Sequence, residues 1–135
     1  MVLAVAGVAL LAVPPIRRVE VTGGSMAPAL LPGDRLVVVG RPAWARLTAS
    51  GRWPVPGEVV AVRDPRVPDR TLVKRVGSVD RHGGTVTVLG DAATSTDSRT
   101  FGPVPRASVL GRAVYRYAPA GRAGHGPWSG EYARA

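Results

Sequence analysis

The sequence predicts an all-β domain, for three reasons. The apolar residues are mostly Val, Ala and Leu, and they fall in short runs, some of which alternate with polar residues as half-buried strands do. The 17 glycines and 13 prolines separate these runs, and no stretch keeps the 3.6-residue period of a long amphipathic helix. Many short strands joined by Gly/Pro turns favour a single small β domain, which suits a chain of 135 residues.

The expected strands are taken in chain order. Two Val-rich runs flank a turn, a third alternates and ends at an Asp-Pro pair, and a fourth and fifth are joined by Asp-Arg-His-Gly-Gly, which indicates a hairpin. A sixth run completes the sheet. The six cover residues 19–21, 35–39, 58–63, 71–79, 85–89 and 109–117. Residues 40–57 form a loop whose Trp44 and Trp53 we expect to pack over the core edge, with insertion into a membrane interface as the alternative.

The two ends of the chain differ from this core. Residues 1–13 are apolar and uncharged, and as a helix they would rise about 20 Å, short of the roughly 30 Å hydrocarbon layer. We interpret residues 1–15 as part of a membrane anchor, with a cleaved signal sequence or a buried core segment as alternatives. Arg17 and Arg18 follow, and positive residues usually stay cytoplasmic. The Gly-rich residues 118–135 are expected to be disordered.

Composition narrows the partners. A net charge of +9 raises the possibility of nucleic acid or an anionic membrane surface. The arginines are scattered, however, and no nucleic-acid-binding motif is present, so we expect no nucleic acid partner. The chain has no cysteine, and its two histidines, His82 and His125, lie apart from any carboxylate with ligand spacing. We therefore expect neither a metal nor a cofactor.

The most informative stretch is residues 23–34, Gly-Gly-Ser-Met-Ala-Pro-Ala-Leu-Leu-Pro-Gly-Asp. Ser25 follows two glycines, whose missing side chains let another chain approach closely. A nucleophilic serine needs that access, although a tight surface loop would show the same letters.

Lysine usage adds a second observation. Of the 18 basic residues only Lys74 is a lysine. Arginine keeps its proton in proteins, whereas a desolvated lysine can become a neutral amine and act as a base. Lys74 lies in the apolar run 71–77, where burial would lower its pKa; compositional chance is the alternative. A serine with a lysine is one known variant of the Ser-His-Asp arrangement.

Three short sequence blocks together resemble a known protein family. They are Gly-Ser-Met-x-Pro-x-Leu-x-x-Gly-Asp at 24–34, Lys-Arg-Val at 74–76, and Gly-Asp at 90–91 followed by Ser-Thr-Asp-Ser-Arg-Thr-Phe-Gly at 95–102. Over residues 19–117 the chain resembles the type I signal peptidases of the S26 serine protease family. Larger relatives carry a cap-like β domain between the second and third blocks, where this chain has only a hairpin. The resemblance therefore implies a minimal S26/LexA-like catalytic core at 16–117, without the large cap domain.

The resemblance also implies roles for individual residues. Ser25 would be the nucleophile and Lys74 its general base, with the Ser25 N–H and Gly24 shaping the oxyanion site. Ser95 would orient the lysine amine, and Asp97 and Arg99 would form a buried ion pair; a turn serine and a surface ion pair are the alternatives. Gly23 stands where many relatives have a second hydroxyl donor. Residues expected to contact an extended peptide substrate are Gly23, Met26, Leu72 and Val73.

Three functions fit this resemblance. The first is a membrane-associated endopeptidase that removes signal peptides after small residues, with its core on the extracytoplasmic side. The second is a protease that cleaves a cytoplasmic pro-segment: the short form resembles the nickel-type superoxide dismutase maturation proteases, and Arg17 and Arg18 suit that side of the membrane. The third is a LexA-type self-cleaving regulator, which normally has a DNA-binding segment ahead of its core. We expect no room for one in the 24 residues before Ser25.

Overall fold

The fold was analysed in a computed structural model, which describes residues 16–40 and 54–128. These residues form one eight-stranded antiparallel sheet in the order β1-β2-β7-β3-β4-β5-β6, with β8 paired to β7. The strands are β1 Ile16–Glu20, β2 Arg35–Gly40, β3 Val59–Arg63, β4 Thr71–Asp80, β5 Thr85–Leu89, β6 Val104–Pro105, β7 Val109–Ala118 and β8 Gly124–His125. The predicted all-β class is confirmed.

The predicted strands are present with small shifts at their ends, but the last long strand lies in the middle of the sheet. β7 pairs with β2 on one side and β3 on the other. The alternation of Val109, Gly111 and Ala113, all buried, suits a strand covered on one face. At Gly111 a Cβ would overlap the backbone carbonyl of Val39, so glycine allows β2 and β7 to approach.

The core consists of two hydrophobic clusters on opposite faces of β3. Val59 and Ala61 point into the cluster that contains Met26, whereas Val60 and Val62 point into the cluster that contains Val88. Successive residues of a strand face opposite sides, so a run of four buried apolar residues places core on both faces.

The Gly-rich segment after β7 was expected to be disordered, but it has defined structure as far as residue 128. Ala120–Arg122 form a 3-10 turn, β8 pairs with β7, and Trp128 is buried in the Met26 cluster. The Trp128 carbonyl accepts a hydrogen bond of 2.6 Å from Arg75. Composition suggested disorder because glycine is frequent, but one buried tryptophan and a buried arginine partner hold the segment in place. Residues 129–135 lie outside the described part.

Between Lys74 and Gly90 the chain forms only the β4–β5 hairpin, as expected, and no large cap domain is evident in the described residues. The one α-helix of the described part is α1, Ser98–Phe101. None of the helices among residues 16–40 and 54–128 has the length and apolar character needed to cross a membrane. The predicted anchor at 1–15 and the loop tryptophans Trp44 and Trp53 lie outside the described residues.

Candidate active site

A groove of about 500 Å³ brings together parts of all three sequence blocks. Its volume lies in the range of ligand-binding clefts. One wall comes from the chain between β1 and the serine turn, a second from the start of β4 and the turn before it, and a third from the loop after β5. The lining includes Gly23, Gly24, Ser25, Leu72, Val73, Lys74 and Ser95. Six of the predicted site residues other than Lys74 thus share a surface with it.

The turn that carries Ser25 is closed at its base by backbone hydrogen bonds. Val21 N–H donates to the Asp34 carbonyl (2.8 Å), and Gly33 N–H donates to the Val21 carbonyl (2.7 Å). Gly33 has φ 93°, which favours glycine there. The base of the turn therefore continues the β1–β2 hairpin and fixes where Ser25 emerges.

Asp34 explains the Gly-Asp that ends the motif. Its buried carboxylate accepts hydrogen bonds from Leu31 N–H (2.9 Å), Arg116 (3.0 Å) and Arg122 (3.0 Å). Burying a carboxylate is tolerated when charge-assisted donors surround it. Asp34 therefore ties the serine turn to β7 and the segment after it.

Met26 does not have the substrate-contacting position that was expected. Its side chain is wholly buried in the core, beneath the turn that presents Ser25. An apolar side chain directly after the half-buried Ser25 anchors the turn by burial, which stabilises it by about 1.5–3 kcal/mol. Gly23 and Gly24 are exposed, and a Cβ at either position would meet no atom of the described residues within 4 Å. Their absent side chains leave the backbone beside Ser25 accessible.

Lys74 is only 3% exposed, in the middle of β4 opposite Val60. Burial lowers the pKa of its amine; the negative charges of Asp97 and Asp64 oppose this shift, and the positive charges of Arg66 and Arg99 add to it. A lysine with a lowered pKa holds more of the neutral amine that can accept a proton.

Asp97 organises the third wall of the groove. It caps the N-terminus of α1, and its fully buried carboxylate accepts hydrogen bonds from Gly90 N–H (2.7 Å), the Ser95 hydroxyl (2.7 Å) and Arg99 (2.6 Å). Burial alone would raise the pKa of Asp97, but the hydrogen bonds from Arg99, Gly90 and Ser95 hold it well below its usual range. The ion pair is therefore buried at its carboxylate end, while the Arg99 side chain stays 42% exposed.

The Ser95 hydroxyl has two partners in this network. It donates to Asp97 and accepts a hydrogen bond of 2.9 Å from Arg99 Nη2. The residue lies in the loop that forms the groove wall opposite β4. Its hydroxyl hydrogen is committed to Asp97, so toward any further group the oxygen can only accept.

Gly90 joins the serine turn to the Ser95 loop. A Cβ at this position would overlap the Ser95 side chain and lie 2.6 Å from the Ser25 carbonyl oxygen. In addition, Ala92 N–H donates to the Ser25 carbonyl (2.9 Å). Sequence reasoning treated Gly90-Asp91 as a turn before Ser95; the structure adds that Gly90 is needed for close contact.

The start of β4 has one free edge. Residues 71–75 pair with β3, whereas β5 pairs with β4 only from Arg75 onward. Within the described residues, the edge of 71–74 opposite β3 is therefore without a strand partner. Such an edge presents a row of backbone donors and acceptors that can bind an extended peptide.

The groove residues that sequence reasoning did not single out include Thr22, Arg66 and Arg70. The two arginines lie in the turn between β3 and β4, after the Asp64-Pro65 pair that was used only to end a strand. The buried Asp64 carboxylate accepts hydrogen bonds from both of them. An Asp followed by two arginines ahead of an apolar strand was the available signal.

Comparison with known proteins identifies the class and then the family. Residues 1–81 and 78–118 match a protein-family model described as signal peptidase, peptidase S26. The chain is therefore a peptidase of signal-peptidase type. It belongs to the peptidase S26 family, as its three sequence blocks suggested.

The curated relatives point the same way. The chain is 30% identical to the mitochondrial ATP-independent inner membrane protease subunit 1b of Arabidopsis thaliana, over 72% of this chain and 67% of that protein. It is 33% identical to subunit 1a from the same plant, over 77% of this chain and 71% of that protein. Both are named as proteases of a membrane.

Proposed function

We propose that this chain is a serine endopeptidase in which Ser25 is the nucleophile and Lys74 is the general base. Its substrates would be the signal peptides of exported proteins, cut after small residues. One observation carries the proposal: the only lysine of the chain is buried in the groove that Ser25 also lines, and burial lowers its pKa.

The reaction follows from these two groups. Ser25 Oγ attacks the scissile carbonyl carbon while the neutral Lys74 amine takes the hydroxyl proton. The resulting ammonium then gives that proton to the departing amine, which leaves an acyl-enzyme. Lys74 next takes a proton from water, whose oxygen attacks the ester carbon. As the bond between that carbon and Ser25 Oγ breaks, the ammonium gives the proton to Oγ, which releases the acid and restores both the hydroxyl and the neutral amine.

Neighbouring groups would orient this pair. Because the Ser95 hydroxyl donates to Asp97, its oxygen can accept an N–H from Lys74. That contact would direct the amine lone pair away from Ser95 and toward Ser25. The backbone N–H of Ser25, with Gly24 beside it, would hold the oxyanion. Within the turn, Ala27 N–H donates to the Gly24 carbonyl and Leu30 N–H donates to the Met26 carbonyl. The Ser25 N–H takes part in neither of these bonds.

The substrate would bind as an added strand along the free edge of residues 71–74. Leu72 and Val73 line the groove on this side, and Gly23 leaves the opposite wall open. The requirement for small residues before the cut comes from the family resemblance.

Membrane association is part of the proposal. The matched relatives are named as inner membrane proteases, and residues 1–13 are apolar and uncharged. We place the catalytic core on the extracytoplasmic side, where exported precursors emerge. The second candidate is a maturation protease that removes a cytoplasmic pro-segment, and it is favoured by Arg17 and Arg18 directly after the apolar run.

A peptide series tests the reaction. Peptides that carry Ala, Leu or Phe directly before the scissile bond are incubated with the full chain in detergent, with Ser25→Ala as the inactive control. We expect cleavage of the Ala peptides and loss of cleavage with Leu or Phe. Equal cutting of all three contradicts the assignment.

Fractionation and protease accessibility test the location. We expect the chain in the membrane fraction and its C-terminal segment accessible to added protease in intact cells. Protection of that segment in a membrane-bound chain would favour the maturation protease, and recovery without detergent in the soluble fraction would contradict the anchor.

A further inference from the structure

A pair of arginines, Arg66 and Arg70, lines the groove beside the start of β4, and neither has been assigned to the reaction. Their side chains are 44% and 56% exposed. Both contact the buried Asp64 carboxylate: Arg66 Nε lies 3.2 Å from Oδ1, and Arg70 Nε lies 3.1 Å from Oδ2. The two guanidinium groups are thereby held together on the groove wall.

The backbone of this turn is fixed as well. Arg66 N–H donates to the Asp64 side chain (2.9 Å), Arg70 N–H donates to the Val67 carbonyl (2.8 Å), and Asp64 N–H donates to the Arg70 carbonyl (2.9 Å). Burial alone would raise the pKa of Asp64, but the hydrogen bonds and charge of Arg66, together with the charge of Arg70, hold it below its usual value. An ionised Asp64 therefore preorganises both arginines, so that their side chains lose less conformational entropy when a ligand binds.

Among the residues that line the groove the charges do not cancel; Asp69, in the same turn, is exposed and lies outside the lining. Two guanidinium groups face one carboxylate, and Glu20, the acidic residue of the groove lining, forms an exposed ion pair with Arg35 at 3.4 Å. Among the described residues, Asp64 takes Nε and Nη2 of Arg66 and Nε of Arg70. Arg66 Nη1 and both terminal nitrogens of Arg70 keep donor capacity that a carboxylate can use.

We propose that Arg66 and Arg70 form a subsite for an acidic side chain of the peptide substrate. The inference rests on the proposed function, since it assumes an extended peptide along β4. Arg70 directly precedes β4 and Lys74 lies four positions later, about 13 Å away at roughly 3.3 Å per residue. A strand bound beside β4 would therefore place its Glu or Asp about four residues from the scissile bond.

The two arginines have separable effects. The charge of Arg66 lowers the pKa of Lys74 and that of Asp64 raises it, whereas the charge of Arg70 acts on this pKa less than either. A substitution at Arg70 therefore tests recognition with the smaller effect on the base, and Arg70→Gln is the variant of choice. Arg81→Gln is the matched control, because it removes one positive charge from the exposed β4–β5 turn, outside the groove lining.

The experiment compares peptides that carry Glu or Gln at each position within six residues of the scissile bond. For the wild type we expect about a tenfold higher kcat/KM with Glu at one position near the fourth, mainly through KM, and a smaller ratio at high salt. The ratio should fall to about one in Arg70→Gln and persist in Arg81→Gln. A wild-type ratio of one at every position, or a ratio unchanged in Arg70→Gln, overturns the subsite.

Binding to the Ser25→Ala chain separates this inference from the proposed function. Fluorescence anisotropy with the same labelled Glu and Gln peptides should show the same preference without cleavage. A preference in binding together with no cleavage by the wild type would contradict the proposed function and support the subsite. Cleavage with equal binding of Glu and Gln peptides would support the function and contradict the subsite.

Discussion

Arg75 and Asp91 form an ion pair in which both side chains are buried, beside the groove walls formed by β4 and by the loop after β5. Arg75 Nε donates to Asp91 Oδ1 and Nη2 donates to Oδ2, both at 2.8 Å. The same guanidinium donates to the carbonyls of Gly57 (2.9 Å) and Trp128 (2.6 Å). Arg75 follows Lys74 and Asp91 follows Gly90, so the pair fixes the lysine strand relative to the loop that leads to Ser95.

We expect Arg75→Lys to lower the free energy of unfolding by about 3–5 kcal/mol, because a lysine cannot reproduce the paired contact and leaves Asp91 buried without it. Arg35→Lys at the exposed Glu20 pair is the matched control and should change it by less than about 1 kcal/mol. Urea unfolding followed by tryptophan fluorescence measures both. Equal effects of the two substitutions would show that the buried pair has no special role.

Substitution of Lys74 by arginine tests the general base. Lys74→Arg keeps the positive charge, but arginine cannot lose its proton near neutral pH. We expect kcat/KM to fall by at least about 10²–10⁴, as in Ser25→Ala, and the double variant to be no worse than either single variant. Circular dichroism checks the fold of each. Cleavage by Lys74→Arg at a tenth of the wild-type rate would exclude the dyad.

The lowered pKa of Lys74 also predicts a pH dependence of stability. The folded chain binds the Lys74 proton less tightly than the unfolded chain, so burial of the ammonium lowers the free energy of unfolding at any pH below the folded pKa. This penalty shrinks as pH rises above the folded pKa and is gone above the unfolded value of about 10.4. Lys74→Met should therefore be more stable than the wild type at pH 7, and the difference should vanish above about pH 10. Urea titrations across this range measure it. A difference independent of pH would show that the amine is not desolvated.

The lowered pKa of Lys74 also sets the pH dependence that we expect of the proposed activity. Because the neutral amine is the base, wild-type kcat/KM should rise with pH through the lowered pKa of Lys74 and then level off. Arg66→Gln removes a positive charge that lowers this pKa, so its profile should shift to higher pH, whereas the profile of Arg81→Gln should not move. A shift of Arg66→Gln to lower pH would contradict the assignment of Lys74.

The depressed pKa of Asp97 predicts a loss of stability in acid. Its folded pKa is depressed, so its contribution to stability is present above the unfolded value of about 3.9 and is lost as pH falls through the folded one. Asp97→Asn should be less stable than the wild type by about 3 kcal/mol at pH 7, and the gap should narrow as the pH is lowered below about 4. Unfolding in urea at pH 7, 5 and 3 measures the gap. A gap that widens in acid would contradict this assignment.

Ser95 is expected to position Lys74 rather than to support the fold. Ser95→Ala should keep the wild-type midpoint of unfolding within a few degrees, while kcat falls about tenfold or more and KM changes little. Ser78→Ala, on the exposed part of β4, is the control for removing a hydroxyl. A loss of stability without a loss of kcat would make Ser95 a structural residue.

Much of the fold could be predicted because the strands have local signals. Val-rich runs bounded by Gly and Pro predicted the strands, and Asp-Arg-His-Gly-Gly predicted the β4–β5 hairpin. The central position of β7 has no local signal, since it depends on which distant strands pair. The order of residues 118–128 was missed because composition does not reveal that Trp128 fills a core or that its carbonyl meets Arg75.

The features of the candidate site also separate into those that the sequence could predict and those that it could not. The position of Ser25 and the burial of Lys74 were predictable from residue types and neighbours, whereas the burial of Met26 depends on which face of the turn meets the core. Arg66 and Arg70 were missed because only the folded turn holds them on Asp64. The sequence shows which chemical groups are present, and three-dimensional contacts determine which of them face the groove.

The central position of β7 has a consequence for the newly made chain. β1 and β2, which lead into and out of the serine turn, belong to one side of the sheet, and the lysine strand belongs to the other. No strand pairing joins these two halves in the described sheet until β7, the last long strand, lies between β2 and β3. During synthesis Ser25 and Lys74 therefore both emerge before the strand that joins their two halves of the sheet, so we expect the groove to assemble only after β7 has been made.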